Sequence, residues 1–400
     1  MTYDVAIVGG GPGGLYAAGR LARRGFEVVV LEEHRTAGDP VHCTGILAVE
    51  AFHEFAIPDE PVLNSLSAVT LFGPSGISIE YRTPSDEAVV IDRRLFDRLL
   101  CERAKASGAA IVLDAKVVDV RRDGEQVVLS GSGGVVRARA CILACGASYR
   151  LQRQLDLGVP DLHLQSAQIE LPARADGPVE LHFGLDVAPR GFGWVVPVRR
   201  PTGSCARVGL MCDRSARRHF DRFLARIAPR WGIDSQGLSV SGAGPRVKLL
   251  PLGPIPKTYT DRVLAIGDAA GLVKATTGGG IYYSLLSATL AADVLAGALA
   301  AGDLSAEALS LYEWRWRALL GDELKAQMKL RRLASRLSDD DIDSLFELAR
   351  TDGIMPIVRR TARFNRHRDL IVSLLGHPPA RRILMRRVLG RRRAQAPSSA

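Results

Sequence analysis

The chain lacks the cysteine patterns of disulfide-linked and zinc-binding proteins. Its 400 residues include six cysteines, and none belongs to a Cys-x-x-Cys pair or to a Cys/His cluster at metal-ligand spacing. We therefore expect neither a disulfide framework nor a metal site.

The chain also lacks a secretory signal at its start, because apolar strand residues begin at Val5 with no basic segment before them. This predicts a cytoplasmic protein. A long apolar stretch near residues 281–300 is interrupted by Asp293, so we expect it to pack against a sheet rather than to span a membrane.

Excess positive charge is absent outside one segment. Residues 351–400 contain 12 arginines against 2 aspartates, which accounts for the whole net charge of +10. No helix-turn-helix, RNA-binding or zinc-finger pattern accompanies them, so nucleic acid is not an expected partner. Apolar residues spaced among the last arginines are typical of a helix on an anionic membrane surface, and a solvated docking helix is the alternative. These apolar residues are Ile383, Leu384, Val388 and Leu389.

The start of the chain contains a pattern of strand, glycine-rich turn, helix and second strand. Val5–Val8 is a short apolar strand, Leu15–Arg24 is rich in helix formers and ends at Gly25, and Phe26–Leu31 is the second strand. This order and length are those of a βαβ unit.

Three glycines and one carboxylate in this unit are placed as in a dinucleotide-binding site. Gly9 would form the tight turn, Gly11 would let backbone N–H groups approach a pyrophosphate, and Gly14 would let helix and strand pack closely. Glu32 follows the second strand, where it can accept hydrogen bonds from a ribose hydroxyl. The unit predicts dinucleotide binding and leaves FAD and NAD as alternatives.

The rest of the chain predicts an α/β protein with a Rossmann-like nucleotide-binding domain, an inserted mainly β domain and a helical, basic C-terminal region. We expect the nucleotide-binding domain to comprise residues 1–60, 85–154 and 246–302. The β-rich domain would comprise residues 61–84 and 155–245, and the C-terminal region residues 303–400. The "GSGG" segment at 131–134 lies between two strand-like runs and predicts a hairpin tip.

Three later segments favour FAD. "VLAIGDAAG" contains Gly267 and Asp268 after a strand and resembles the second FAD fingerprint of flavoproteins with two dinucleotide-binding folds, in which the aspartate binds the ribityl chain. "ACILACGAS" resembles the third strand-to-turn element of these proteins, and Arg93 in "VIDRRLFD" resembles their FAD-contacting arginine.

Two further stretches resemble the geranylgeranyl reductase family, flavoenzymes that hydrogenate isolated C=C bonds of prenyl chains. "GDAAGLVKATTGGGIYYSLLSA" is similar to the family's flavin-proximal loop and helix, although Ala275 stands where proline is common. "PRGFGWVVP" at 189–197 resembles the substrate motif Pro-x-x-Tyr-x-Trp-x-Phe-Pro. Pro189, Trp194 and Pro197 match, whereas Phe192 replaces tyrosine and Val196 replaces phenylalanine, so no role for a phenol hydroxyl is expected.

The resemblance implies the following site. Cys43, in "GDPVHCTGILA", matches the family's loop cysteine near the flavin and would position the alkene or relay a proton; a chance loop cysteine is the alternative. An apolar substrate slot would be lined by Phe192, Trp194, Val196 and Pro197, for which core packing is the alternative. FAD would be held by Gly9, Gly11, Gly13, Gly14, Glu32, Glu33, Cys43, Thr44, Gly45, Arg93, Val118, Ala144, Gly146, Gly267, Asp268, Gly278, Gly279, Gly280 and Ile281.

The implied function is an FAD-dependent reductase acting on a polyprenyl lipid or quinone, with electrons from NADPH or ferredoxin and with possible peripheral attachment to an anionic membrane. A flavin monooxygenase or halogenase on the same fold is the first alternative, because a fold does not fix its chemistry. A non-enzymatic prenyl-binding protein is the second.

Overall fold

The first strand, Thr2–Val8, is a central strand of an eight-stranded sheet. It pairs in parallel with Val28–Leu31 on one side and with Gly134–Leu143 on the other. Val5, Ala6 and Ile7 are fully buried, as expected for a parallel strand covered on both faces. The helix Pro12–Ala22 connects the first two strands, which confirms the predicted βαβ unit.

A computed structural model describes residues 2–234, 244–351 and 353–394, with side chains through residue 386. The strands are Thr2–Val8, Val28–Leu31, Ile46–Ala48, Val62–Leu66, Ala68–Phe72, Ser78–Arg82, Ala88–Ile91, Ala110–Val112, Val117–Asp123, Gln126–Gly131, Gly134–Leu143, Leu162–Pro172, Val179–His182, Phe192–Arg200, Gly203–Cys212, Arg246–Leu252, Tyr259–Thr260 and Val263–Ala265. The α-helices are Pro12–Ala22, Glu50–Glu54, Arg93–Ala106, Arg150–Gln154, Ala216–Trp231, Ile281–Ala301, Ala306–Ala334, Asp339–Arg350, Met355–Thr361, Arg368–Gly376 and Pro378–Ala394.

The chain forms two compact units. The first contains Met1–Val62, Ile91–His163 and Pro251–Leu324, and the second contains Leu63–Val90, Leu164–Leu250 and the chain from Lys325 onward. The C-terminal segment that begins at residue 303 is thus divided between the two.

The sheet of the first unit is built around its parallel strands. Its order runs from Tyr259–Thr260 through Val263–Ala265, Gly134–Leu143, Thr2–Val8 and Val28–Leu31 to Ala110–Val112. Gln126–Gly131 pairs antiparallel with Gly134–Leu143, and Gly131 lies opposite Gly134. The predicted hairpin tip at 131–134 is confirmed.

The second unit is built on a seven-stranded sheet. Its order is Arg246–Leu252, Leu162–Pro172, Gly203–Cys212, Phe192–Arg200, Val179–His182, Ala68–Phe72 and Ser78–Arg82. The helix Ala216–Trp231 packs on one face through Phe220, Phe223 and Ile227 against Val195, Val208 and Leu210. The strands Ala68–Phe72 and Ser78–Arg82 on either side of "GPSG" belong to this sheet.

The helix Ile281–Ala301 is long and apolar enough, by length and composition, to cross a membrane. Asp293 accepts hydrogen bonds from Arg20 at 3.0 Å and Arg24 at 2.5 Å, so it is paired with the helix Pro12–Ala22. The helix also contacts the sheet, because Arg139 of the strand Gly134–Leu143 donates a hydrogen bond to the Leu299 carbonyl at 3.1 Å. It packs in addition against Pro12–Ala22 and the 3-10 turn Gly267–Ala270.

The helices after residue 338 belong to the second unit. Ser338 caps the helix Asp339–Arg350 with a reciprocal capping box to Asp341, which confirms the predicted helix start. Leu384 was expected on a membrane-facing surface, but it is 6% exposed and therefore buried in the protein. Of the other predicted membrane-facing residues, Ile383 is half-buried, and the side chains of Val388 and Leu389 lie outside the described residues.

Candidate functional site: a dinucleotide cradle and an aromatic sheet face

The glycine-rich turn after the first strand is tightly packed at two of its three signature positions. Gly9 has φ +107°, and a Cβ atom there would lie 2.4 Å from the carbonyl oxygen of Ala144. A Cβ atom on Gly14 would lie 2.1 Å from the carbonyl oxygen of Gly9. Only glycine therefore lets the turn, the helix and the neighbouring strand approach this closely.

Gly11 differs from its neighbours. It precedes the helix with extended backbone angles, φ −78° and ψ 179°, and a Cβ atom at this position would meet nothing within 4 Å. Unpaired N–H groups at a helix N-terminus attract anions. The open space beside them fits the pyrophosphate of a dinucleotide.

Glu32 lies at the same edge of the sheet. Its carboxylate accepts hydrogen bonds from the backbone N–H of Gly10 at 2.5 Å and of His34 at 3.0 Å. The side chain is thus fixed beside the glycine turn, where an adenosine ribose would lie.

The segment that contains Gly267 and Asp268 and the glycine-rich turn after the first strand both contact the helix Ile281–Ala301. Cβ atoms added to Gly13 and Gly267 would lie 2.3 and 2.5 Å from Ser284 Oγ, respectively. The Gly267 N–H donates to Ser287 Oγ at 3.0 Å. The structure therefore brings the two FAD fingerprints together, although they lie far apart in the sequence.

The loop at 278–280 adjoins the second fingerprint. A Cβ atom on Gly280 would lie 2.7 Å from the carboxylate of Asp268, and Gly278 has φ +73°. Tyr149 donates its hydroxyl to the Asp268 carbonyl at 2.7 Å. Asp268 is therefore placed between the loop that would meet the flavin ring and the strand that ends at Ala265.

Cys43 and Arg93 lie side by side. The guanidinium of Arg93 pairs with Asp97, 2.8 Å away, and lies close enough to the Cys43 thiol for the two groups to interact electrostatically. The Gly45 N–H also donates to Cys43 Sγ at 3.3 Å. Burial would lower the pKa of Arg93, but Asp97 and Cys43 outweigh it and the pKa is raised, so the side chain carries a fixed positive charge next to the thiol.

Lys274 was not predicted, because a lone lysine in a glycine-rich loop has no signature in the sequence. Its backbone N–H donates to the Gly279 carbonyl at 3.1 Å, and its carbonyl accepts from Gly278 N–H at 2.8 Å. The side chain is 4% exposed. Burial lowers the pKa of Lys274 to about 7, although the carboxylates of Glu50 and Glu323 act in the opposite direction.

The other predicted FAD contacts lie around this cradle at varying exposure. Ala144 donates its N–H to Val8 at 2.8 Å, and Gly146 has φ +64° in the turn that follows. Thr44 is half-buried, and Ile281 begins its helix buried. Val118 is half-buried on its strand. Glu33 is exposed and pairs with Lys116 at 2.9 Å. The roles of these residues in binding remain predictions.

The predicted substrate motif lies on a central strand of the second unit. Phe192 and Trp194 contact each other edge to face, with ring centroids 5.9 Å apart. With Val196, they point away from the helix Ala216–Trp231, because alternate residues of a strand face opposite sides. Pro197 was expected to line the same slot, but the register places it on the other face, so it does not share this surface.

Phe183 and Phe346 extend the aromatic surface and were missed from the sequence. Phe183 lies 5.7 Å from Phe192 and 6.0 Å from Phe346, measured between ring centroids. Phe346 comes from the helix Asp339–Arg350, which follows much later in the chain. No local pattern connects these positions.

A buried polar network supports this strand from the helix-covered face. The Glu180 carboxylate accepts hydrogen bonds from Trp231 Nε1 at 3.1 Å and from Arg230, and it lies 3.0 Å from His182 Nε2. His182 in turn stacks on Phe72. The network ties the helix Ala216–Trp231 to the strand beside the motif.

The fold and the cradle define an FAD-dependent oxidoreductase with the nucleotide-binding architecture of two-fingerprint flavoproteins. The family described as pyridine nucleotide-disulphide oxidoreductase matches residues 3–171. The chain is also similar in structure to a point mutant of halogenase PltM in complex with FAD, with a TM-score of 0.65 and 15% identity over 99% of this chain and 93% of the other.

Two further relatives show to which group of FAD-dependent oxidoreductases the chain belongs. The digeranylgeranylglycerophospholipid reductase of Methanocaldococcus jannaschii is 31% identical over 86% of this chain and 90% of its own length. A geranylgeranyl bacteriochlorophyll reductase-like protein from Thermoplasma acidophilum superposes with a TM-score of 0.79 and 22% identity, over 97% of this chain and 99% of that one. The chain belongs to the geranylgeranyl reductase family.

Proposed function

We propose that this protein uses FAD to saturate C=C bonds in the prenyl chain of a lipid or quinone. The observation that carries the proposal is the aromatic surface of Phe192, Trp194, Phe183 and Phe346 in a chain whose other unit holds a dinucleotide cradle. An isoprenoid chain is apolar along its length and is recognised by such a surface. The relative named digeranylgeranylglycerophospholipid reductase supports this substrate class.

The reduction of an isolated alkene requires a hydride on one carbon and a proton on the other, with the two partners held in orientation. When bound and reduced, FAD would supply the hydride. Gly9, Gly11, Gly14, Glu32 and Asp268 would hold the cofactor. The Cys43 thiol would position the alkene or pass on the proton, and the hydrogen bond from the Gly45 N–H holds it in place beside Arg93.

Anaerobic reduction of the FAD-loaded protein, followed by mass spectrometry of added geranylgeranyl lipids and menaquinones, tests the proposal. A mass gain of about 2 Da for each saturated bond is expected, since each reduction adds two hydrogens. Mixing with NADPH or with reduced ferredoxin identifies the electron donor by the bleaching of the flavin. An oxygen-dependent hydroxylated or halogenated product would instead favour the first alternative function, and a purified protein without flavin would favour a prenyl carrier.

The basic C-terminal helix would bring the enzyme to its lipid. Arg381, Arg382 and Arg386 are exposed, and each arginine near an anionic surface adds about 1 kcal/mol of attraction. With Leu384 buried in the protein, this attachment would rest mainly on charge. Co-sedimentation with anionic vesicles should therefore be lost in high salt and on deletion of residues 380–400, and equal binding to neutral vesicles would contradict it.

A further inference from the structure

The indole N–H of Trp194 is a buried donor that finds no acceptor among the described residues. Trp194 is 8% exposed. The other two buried tryptophans do have partners, because Trp231 Nε1 donates to Glu180 at 3.1 Å and Trp316 Nε1 donates to Thr258 Oγ1 at 2.9 Å. Native proteins rarely leave a buried donor unpaired, since its lost hydration is not replaced. The exception therefore requires an explanation.

The position of this indole is fixed by the sheet. Gly209 lies directly opposite Trp194 on the neighbouring strand, and a Cβ atom on Gly209 would lie 2.4 Å from Trp194 Cζ2 and 2.7 Å from Nε1. The ring therefore lies against the backbone of the strand Gly203–Cys212. Gln168 lies opposite Gly209 on the next strand, so one row across the sheet contains an indole, a glycine and an amide.

Polar groups continue beyond this row. The adjacent row contains Arg207, which is buried, and Glu170, whose carboxylate it meets at 2.7 Å. Arg200 pairs with the same carboxylate at 2.5 Å. The Glu170 carboxylate thus lies between two guanidinium groups, and this part of the face is polar.

Apolar groups lie on the other side of the indole. Phe192, Phe183 and Phe346 follow one another at centroid distances of 5.7 and 6.0 Å. Beyond Trp194, the described face thus carries Arg207 and Glu170 beside the apolar Val196, in place of aromatic rings. A ligand that matches it has an apolar chain and an oxygen-bearing end.

We propose that Trp194 Nε1 donates a hydrogen bond to an oxygen at the polar end of the prenyl substrate, with the chain lying along the aromatic row. This inference rests on the proposed function and adds to it the polarity and direction of the ligand. The acceptor is a quinone carbonyl or the oxygen of a prenyl alcohol or its ester. Trp194 then acts as a specificity residue for oxygen-bearing prenyl compounds over pure hydrocarbons.

The test compares three probes on the oxidised, FAD-loaded enzyme: geranylgeraniol, a menaquinone with four prenyl units, and the geranylgeranyl hydrocarbon in which hydrogen replaces the hydroxyl. Dissociation constants come from the equilibrium binding of radiolabelled probes to the enzyme. Trp194→Phe should weaken binding of at least one oxygen-bearing probe about tenfold and of the hydrocarbon less than twofold, because it removes one donor. Loss with the quinone alone or with the alcohol alone identifies the acceptor.

Two controls isolate the N–H group. Replacing Trp194 by benzothienylalanine keeps the bicyclic ring and exchanges the N–H for sulfur, so it should reproduce the selective loss even if Trp194→Phe perturbs folding. Phe192→Leu should weaken all three probes alike, because it removes apolar contact only. Equal changes for all probes in the benzothienylalanine variant would overturn the inference.

Hydrogenation is measured separately by mass spectrometry on the wild-type protein. Selective loss of oxygen-bearing probes without any saturated product would support the recognition role and contradict the proposed reaction. Saturated product together with equal binding losses for all probes would support the proposed reaction and contradict the recognition role of Trp194.

Discussion

The carboxylate of Glu32 and the backbone N–H of Gly10 are joined by a hydrogen bond of 2.5 Å. The acidic residue at the end of the second strand therefore supports the glycine turn, and we predict that it also offers acceptors to a ribose. Glu32→Ala should weaken FAD binding by roughly 1 to 3 kcal/mol. Glu32→Gln keeps an acceptor for Gly10 and should lose less. Titration of the apoprotein with FAD measures both, and equal losses would show that the link to Gly10 contributes nothing.

Substitutions at Gly11 and Gly14 should have different effects, the first on flavin binding and the second on the stability of the apoprotein. Gly11→Val points into open space in extended backbone, so the apoprotein should fold normally and yet be colourless, because the side chain occupies the pyrophosphate site. Gly14→Ala places a Cβ atom 2.1 Å from the Gly9 carbonyl and should lower the unfolding temperature of the apoprotein itself. Flavin content and apoprotein unfolding are the two measurements. A fully flavinated Gly11→Val protein would rule out the predicted cradle.

Cys43→Ala should leave flavin content intact and slow alkene reduction by at least about tenfold, or change which bonds are reduced, because a positioned thiol is lost. Cys205→Ala provides a matched control, since Cys205 is also half-buried but lies on a strand of the second unit. Product analysis by mass spectrometry checks the outcome. An unchanged rate and product pattern would make Cys43 an ordinary loop cysteine.

Lys274 should make stability depend on pH. Its pKa of about 7 lies below the value of an unfolded lysine, so between about pH 7 and pH 10 the unfolded chain binds a proton that the folded protein has released. The free energy of unfolding therefore rises with pH in this window, by up to about 1.4 kcal/mol per unit, relative to Lys274→Met. Denaturant unfolding at several pH values measures this difference. Lys248→Met, at an exposed position, should show no such difference, and Lys274→Met curves that run parallel to the wild type would contradict the prediction.

Glu180→Ala should lower the free energy of unfolding by about 3 kcal/mol, because it leaves Trp231 Nε1 and Arg230 without their acceptor next to the helix core. Glu80→Ala, in the same sheet, removes an exposed ion pair to Arg82 and should change stability by less than about 1 kcal/mol. Similar losses for both variants would show that the network is not needed to hold the helix.

The sequence predicts those features that depend on neighbouring residues. Strand, turn and helix from Val5 to Leu31 follow from local spacing, and the hairpin at 131–134 follows from its glycines. Gly209 could not be predicted as the partner of Trp194, because cross-strand register depends on the whole sheet. For the same reason, the sequence could not predict on which side of the strand Pro197 lies or that Phe346 contacts Phe183.

The pairing of Val263–Ala265 with Cys141–Leu143 has a consequence for the order of synthesis. The first strand of this sheet leaves the ribosome long before its last parallel strand, and the helix that carries Ser284 and Asp293 follows later still. Contacts so distant in sequence form late. A nascent chain cannot complete its cradle until this helix has been made, and newly made enzyme acquires its flavin near the end of translation or after it.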